Sequence, residues 1–243
     1  MELKIYYEDK DIIVLYKPAG VSSQSSKDFE EDMVSLIKKH VKASANAGGS
    51  VAAKGGTSAK GRVSANGGAS ASGRDTNGEP YVGVVHRLDK MVSGIMVYAL
   101  NKEAAANLSA QVQKGSITKK YEAALLGVPK ESKGEYVDYL VKDEVENISR
   151  VSGPKDKKAK EAKLRYKVIE KKYDGNRQTS KVAIELITGR HHQIRVQFAS
   201  RGTPVLGDHK YGKADDGERQ IQLRATELAF AHPKTKKVMA FKE

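Results

Sequence analysis

The spacing of apolar and polar residues changes several times along this chain, and each change marks an element. Ile5, Tyr6 and Tyr7 precede a polar turn at Glu8 to Asp11, and the apolar run IIVLY follows, so the opening predicts a strand or hairpin. Lys17-Pro18-Ala19-Gly20 ends it, because Pro lacks a backbone donor and Gly permits a tight turn. A short helix is expected across Asp32 to Val41, with Val34, Leu36, Ile37 and Val41 apolar. From Ala43 to Gly78 the composition shifts to Ala, Gly, Ser and Asn with scattered cations, and Leu, Ile and aromatic residues vanish. Such a stretch buries too little apolar surface to offset its chain entropy, which predicts a flexible insertion.

Regular patterning resumes at Pro80. Tyr81 to Val85 and Gly94 to Leu100 read as strands, separated by the polar, irregular His86 to Ser93. Asn101 is placed to cap a helix over Lys102 to Lys114, with Ala105, Leu108 and Val112 on one face and Gly115 as its stop. A strand is expected in ITKKYEAALLG, with others at 136–141, 162–170 and 181–187. Many short strands and few helices predict an α+β fold with a mainly antiparallel mixed sheet and flanking helices, in one domain that the insertion interrupts.

Composition narrows what such a fold does. Lys and Arg number 43 against 30 acids, a formal charge of +13, which suits a polyanionic partner such as nucleic acid. With no Cys, disulfides, Cys-ligated zinc and thiol nucleophiles are excluded. No apolar stretch approaches the roughly 20 residues that span a bilayer, so a cytoplasmic protein without membrane contact is expected.

The motifs of nucleotide, dinucleotide, serine-hydrolase and zinc-protease sites are absent. On a strand, the adjacent His191 and His192 would point to opposite faces and could not chelate together, so no metal is expected. Two polar clusters remain, His86-Arg87-Leu88-Asp89-Lys90-Met91-Val92-Ser93-Gly94 and Thr188-Gly189-Arg190-His191-His192-Gln193-Ile194-Arg195-Val196. Alone, Arg87-x-Asp89 reads as a solvated pair or a turn-forming Asp, and the alternation after Gln193 as a half-exposed strand. Together they suggest more, since a carboxylate that acts while ionised in a desolvated site needs a cation, which Arg195 can provide.

HRLDKMVSG is similar to the His-Arg-Leu-Asp-x-x-Thr-Ser-Gly signature of the RluA-like pseudouridine synthases. TGRHHQIRVQFASRGTPVLGDHKYG resembles that family's Thr-Gly-Arg-Thr-His-Gln-Ile-Arg signature and its Gly-x-Pro-x-x-Gly-Asp-x-x-Tyr-Gly tail. KKYEAALLG resembles the Lys-x-Tyr-x-Ala segment between them, IIVLYKPAGV the family's opening and LRATELAFAHPKTKKVMAF its close. Val92 and His191 stand where the family has Thr. The resemblance implies a pseudouridine synthase catalytic fold, in the form without an S4 module. It also implies a cofactor-independent isomerase acting on uridines in structured rRNA or tRNA, as a monomer with no nucleotide cofactor.

The same resemblance implies roles for single residues. Asp89 is the catalytic carboxylate, which attacks C1′ or stabilises positive charge there; covalent and glycal-like routes both stay open. Arg195 pairs with that carboxylate. Tyr121 stacks on the target base and can take part in proton removal. Arg87 contacts RNA, helping to extrude the nucleotide and fill its place. RNA contact is then expected from the catalytic domain's basic surface, including Lys155 to Lys172, part of which reads as a strand with a solvated face. The competing reading is a catalytically silent RNA-binding protein of the same fold, which would have no use for this set of side chains.

Overall fold

The computed structural model describes residues 1–24, 31–46, 78–175, 177–212 and 216–243. Eleven strands and three helices alternate along them, and every strand register given below is antiparallel. They form two compact units: residues 1–117 with 228–243, and residues 118–227.

The first unit is built on β1 (Ile5–Glu8), β2 (Ile12–Lys17) and β4 (Ser93–Ala99). The hairpin between β1 and β2 closes at Asp9, whose Oδ1 accepts from the backbone N–H groups of Asp11 at 2.8 Å and Ile12 at 2.9 Å, a turn chemistry particular to short carboxylates. β2 runs against β4 from Ile12↔Ala99 to Lys17↔Gly94. Both strands are buried on both faces, which explains why IIVLY and GIMVYAL are continuous apolar runs rather than alternating ones. One face gathers Ile12, Val14, Ile95, Val97 and Ala99 with Ala104 and Leu108 of α2 (Lys102–Gln113) and with Leu228 and Phe230 from the chain's return. The expected cap of α2 is present: Asn101 Oδ1 accepts from Ala104 N at 2.8 Å, and Gly115 turns at φ +68°.

Two expectations shift here. The Tyr81–Val85 strand reduces to β3 (Gly83–Val84), paired with β4. The helix expected over Asp32–Val41 is α1 (Met33–Asn46), started by Asp32 Oδ1 accepting from Ser35 N at 2.7 Å. It takes in the first four residues of the expected insertion, since Ala43 and Ala45 are strong helix formers. Residues 47–77 of that insertion lie outside the described residues.

In the second unit β5 (Thr118–Leu126) pairs β9 (Arg177–Leu186), β9 pairs β8 (Lys160–Asp174), β8 pairs β6 (Lys133–Asp143) and β6 pairs β7 (Ile148–Ser152). Alternation is clean: Tyr121, Ala123, Leu125, Leu164, Tyr166, Val182 and Ile184 are buried, while their neighbours form ion pairs on the opposite face. Lys120 meets Glu227, Lys181 and Arg224 meet Glu122, and Lys163 and Arg165 meet Glu135. The segment expected to be a half-exposed strand is instead α3 (Gln193–Ala199), with Gln193 to Phe198 all buried. Phe198 packs edge-on to Tyr136 and Tyr166, with ring centroids 5.2 and 5.6 Å away. β10 (Leu223–Ala231) carries the chain from the second unit back into the first, where β11 (Val238–Lys242) pairs with it.

Candidate active site

The residues singled out in the sequence fall into two groups, Asp89 and Arg87 in the first unit, Tyr121 and Arg195 in the second. In the first unit, Asp89 is half-buried at the head of a turn closed by Val92 N donating to Asp89 O at 3.0 Å. The residues on either side of it are fixed by their backbones. Ser23 Oγ, itself buried, donates to Leu88 O at 2.9 Å and accepts from Leu88 N at 3.0 Å. On the other side Lys90 O accepts from Gly20 N at 2.8 Å and from Lys17 Nζ at 3.0 Å.

Lys17 is fully buried, and its ammonium also donates to Pro18 O at 3.0 Å and Val21 O at 2.7 Å. Its protons thus match the carbonyls around it. Burial pulls its pKa down to about 8, and the negative charge of Asp89 opposes that shift. Arg87 is exposed, and His86 accepts from Val97 N through Nε2 at 3.1 Å, tying the loop back to β4.

In the second unit, Tyr121 sits mid-strand in β5, opposite Ile184 of β9 and only 6% exposed. Arg195 lies in the first turn of α3 and its guanidinium forks onto Asp208: Nε to Oδ2 and Nη2 to Oδ1, both at 2.7 Å. Asp208 is buried, and its Oδ1 also accepts from Lys210 N at 3.0 Å and Tyr211 N at 3.2 Å. The Tyr211 ring lies beneath the guanidinium, 5.1 Å from Cζ to centroid. Its hydroxyl meets His192 Nδ1 at 2.8 Å and accepts from Ser149 N at 2.7 Å.

In sequence Asp208 and Tyr211 are part of a motif with no task of their own. The available signal was a carboxylate and an aromatic ring at fixed spacing after a buried Arg.

The turn before α3 is locked by Gln193. Its Oε1 accepts from Thr188 Oγ1 at 2.7 Å and Arg190 N at 3.0 Å, and its Nε2 donates to Lys163 O at 3.1 Å. His192 takes a left-handed conformation, φ 52°, at the start of the helix. Instead of pointing apart as on a strand, the His191 and His192 rings stack with centroids 3.7 Å apart, because the backbone turns between them. His191 Nδ1 is bonded to Ser149 Oγ at 2.9 Å.

Among the described residues, Asp9, Asp11 and His232 bring potential metal ligands together. Their hydrogen bonds fit a structural lock instead. His232 Nδ1 accepts from Lys234 N at 3.2 Å and Thr235 N at 3.1 Å, which leaves the ring proton on Nε2, pointing at Asp9 Oδ2 2.8 Å away. A cation there would have to displace that proton.

Comparison with known proteins points to one family. Residues 11–200 match the family model described as RNA pseudouridylate synthase. The chain is 30% identical to an uncharacterized RNA pseudouridine synthase of Aquifex aeolicus, over 98% of this chain and 68% of that protein. It is 35% identical to the dual-specificity RNA pseudouridine synthase RluA of Vibrio parahaemolyticus, over 64% of this chain and 63% of that one. Among solved structures, human RNA Pseudouridylate Synthase Domain Containing 1 superposes with a TM-score of 0.71 at 22% identity, covering all of this chain and 83% of the other, a likeness of fold.

Proposed function

The chain belongs to the RNA pseudouridylate synthase family, and we propose that it isomerises uridines of structured rRNA or tRNA with Asp89 as its catalytic carboxylate. Both units serve one catalytic domain in this reading. The N1–C1′ bond of the target uridine breaks, the uracil turns, C1′ bonds to C5, and the proton lost from C5 is balanced by one gained at N1. Asp89 attacks C1′ or offsets the positive charge that develops there.

The observation that carries the reading is how Asp89 is presented. Bonds to the main chain fix Leu88 and Lys90 on either side, from Ser23 on Leu88 and from the buried Lys17 ammonium on Lys90. Tyr121 offers a ring for the uracil and a hydroxyl for proton transfer. Arg195, aligned by Asp208, is assigned to hold Asp89 ionised and oriented. Arg87 is assigned to the displaced nucleotide and its phosphate. The chain acts as a cytoplasmic monomer without a nucleotide cofactor; among the described residues no helix is long and apolar enough to cross a membrane.

Release of tritium from 5-tritiated rRNA and tRNA tests this reading directly. Wild-type protein should release tritium on at least one of them, and Asp89→Ala should be slower by about a thousandfold or more. Equal release by the two proteins on both RNAs would sink the assignment.

A further inference from the structure

The cations of the second unit are treated differently on the two faces of its sheet. On the outer face Lys120, Lys163, Arg165, Lys181 and Arg224 each meet a carboxylate. Around these pairs the charge is locally neutralised and offers little to a polyanion. Lys119 points the other way. It stands two residues before Tyr121 on β5, so the two side chains project from the same face.

Lys119 is half-buried, and among the described residues no carboxylate is paired with it or with Arg190. Its ammonium instead lies beside the turn that carries Arg190: a Cβ added to Gly189 would meet only Lys119 Nζ, at 3.5 Å. Gly189 thus leaves the space next to the ammonium open. Arg190 is held in place by Nε donating to Glu161 O at 2.7 Å and by its backbone N–H donating to Gln193 Oε1 at 3.0 Å. Burial first, and then the charge of Arg190, hold the Lys119 ammonium below its ordinary pKa.

Two cations set near each other, one of them partly desolvated, oppose folding unless an anion joins them. Arginine and lysine over an open backbone at a glycine make a site suited to a phosphate. We infer that Lys119 and Arg190 bind a backbone phosphate of the RNA substrate, next to the nucleotide whose base is taken by Tyr121. This assignment rests on the reading of the chain as an enzyme acting on RNA. It makes Lys119 and Arg190 substrate-binding residues that set where the strand lies, while the reacting atoms are left to others.

The test uses full-length protein and unmodified rRNA and tRNA transcripts, with Kd measured across a salt series and KM from tritium release. Lys119→Met and Arg190→Gln should each raise Kd and KM about tenfold. They should also make the dependence of log Kd on log salt shallower by about one unit, the loss of one phosphate contact. Lys119→Arg keeps the charge and should keep the slope.

Lys120→Met removes the same charge from the outer face of the same strand and should behave as wild type. Relief of the unpaired charge should leave Lys119→Met with a melting temperature at or above wild type, which a purely structural lysine would not do. Kd and slope in Lys119→Met and Arg190→Gln that match those of Lys120→Met would overturn the assignment. Because Kd is read separately from turnover, a wild type that binds RNA but releases no tritium would break the enzymatic reading and still score this site.

Discussion

Asp89 and Arg195 are both held firmly, but by opposite means. The Asp89 loop is fixed through the main chain of its neighbours, by a serine on Leu88 and a buried lysine on Lys90. Arg195 is fixed through its functional group, by a carboxylate fork edge-on and a tyrosine ring beneath it. The difference suits the proposed tasks. A nucleophile that must form and break a bond is best positioned from its backbone, whereas a cation that only orients a partner loses nothing by being clamped at its head.

Three changes press on that contrast. Asp208→Asn should have the largest effect, because it leaves the guanidinium of Arg195 buried without its forked counter-charge. Stability should fall by about 3 kcal/mol or more in urea denaturation, with activity lost alongside. A loss under about 1 kcal/mol would mean that the fork is not what holds Arg195.

Ser23→Ala strips a bonding partner from both the N–H and the C=O of the buried Leu88, at about 1–3 kcal/mol. If the loop is positioned from its backbone, the turnover rate should drop although no reacting group has been touched. Unaltered kinetics in a folded variant would argue against that.

The third change concerns Lys17. The unfolded chain keeps this proton up to about 10.5, the folded chain only to about 8, so between those values the unfolded state binds more protons and stability climbs with pH. Lys17→Met should flatten that climb in melting curves recorded from pH 8 to 10.5. A wild-type profile already flat would show that the three carbonyls around the ammonium fully offset its burial.

The same contrast explains what could be read in the sequence. The first unit was legible because its elements announce themselves locally: apolar runs for β2 and β4, an Asn101 cap and a Gly115 stop for α2. α3 was not, because Ile194, Val196 and Phe198 alternate with Gln193, Arg195 and Gln197, which is the signature of a half-buried strand. Here the polar residues are buried as well. Gln193 is satisfied by Thr188 and Lys163, Arg195 by Asp208, and Gln197 through Nε2 by Asp138 and Ala162 O. Periodicity measures contact with water, so it misleads wherever tertiary partners replace water on the polar side.

The lysine under the Asp89 loop escaped for a related reason. In sequence, Lys17-Pro18-Ala19-Gly20 is a strand stop, and nothing local tells a buried ammonium from a surface one. The burial of Asp208 likewise appears only once residues 195 and 208 are brought together.

The return of the chain into its first unit bears on how the protein is made. The core beneath the Asp89-bearing half needs Leu228 and Phe230, with Met239 and Phe241 packed against it, while residues 118–227 form a unit of their own in between. During synthesis, then, the later-made half holds all of its own sequence and can fold first. The half begun first must wait, with its strands unfinished, until residues 228–243 have been made. The contact between Lys4 and Glu243, at 2.8 Å, pairs residues far apart in sequence, and such non-local contacts form slowly. The unit carrying the carboxylate proposed to do the chemistry is therefore completed after residues 118–227, so a chain that stops before Leu228 gains no working copy of it.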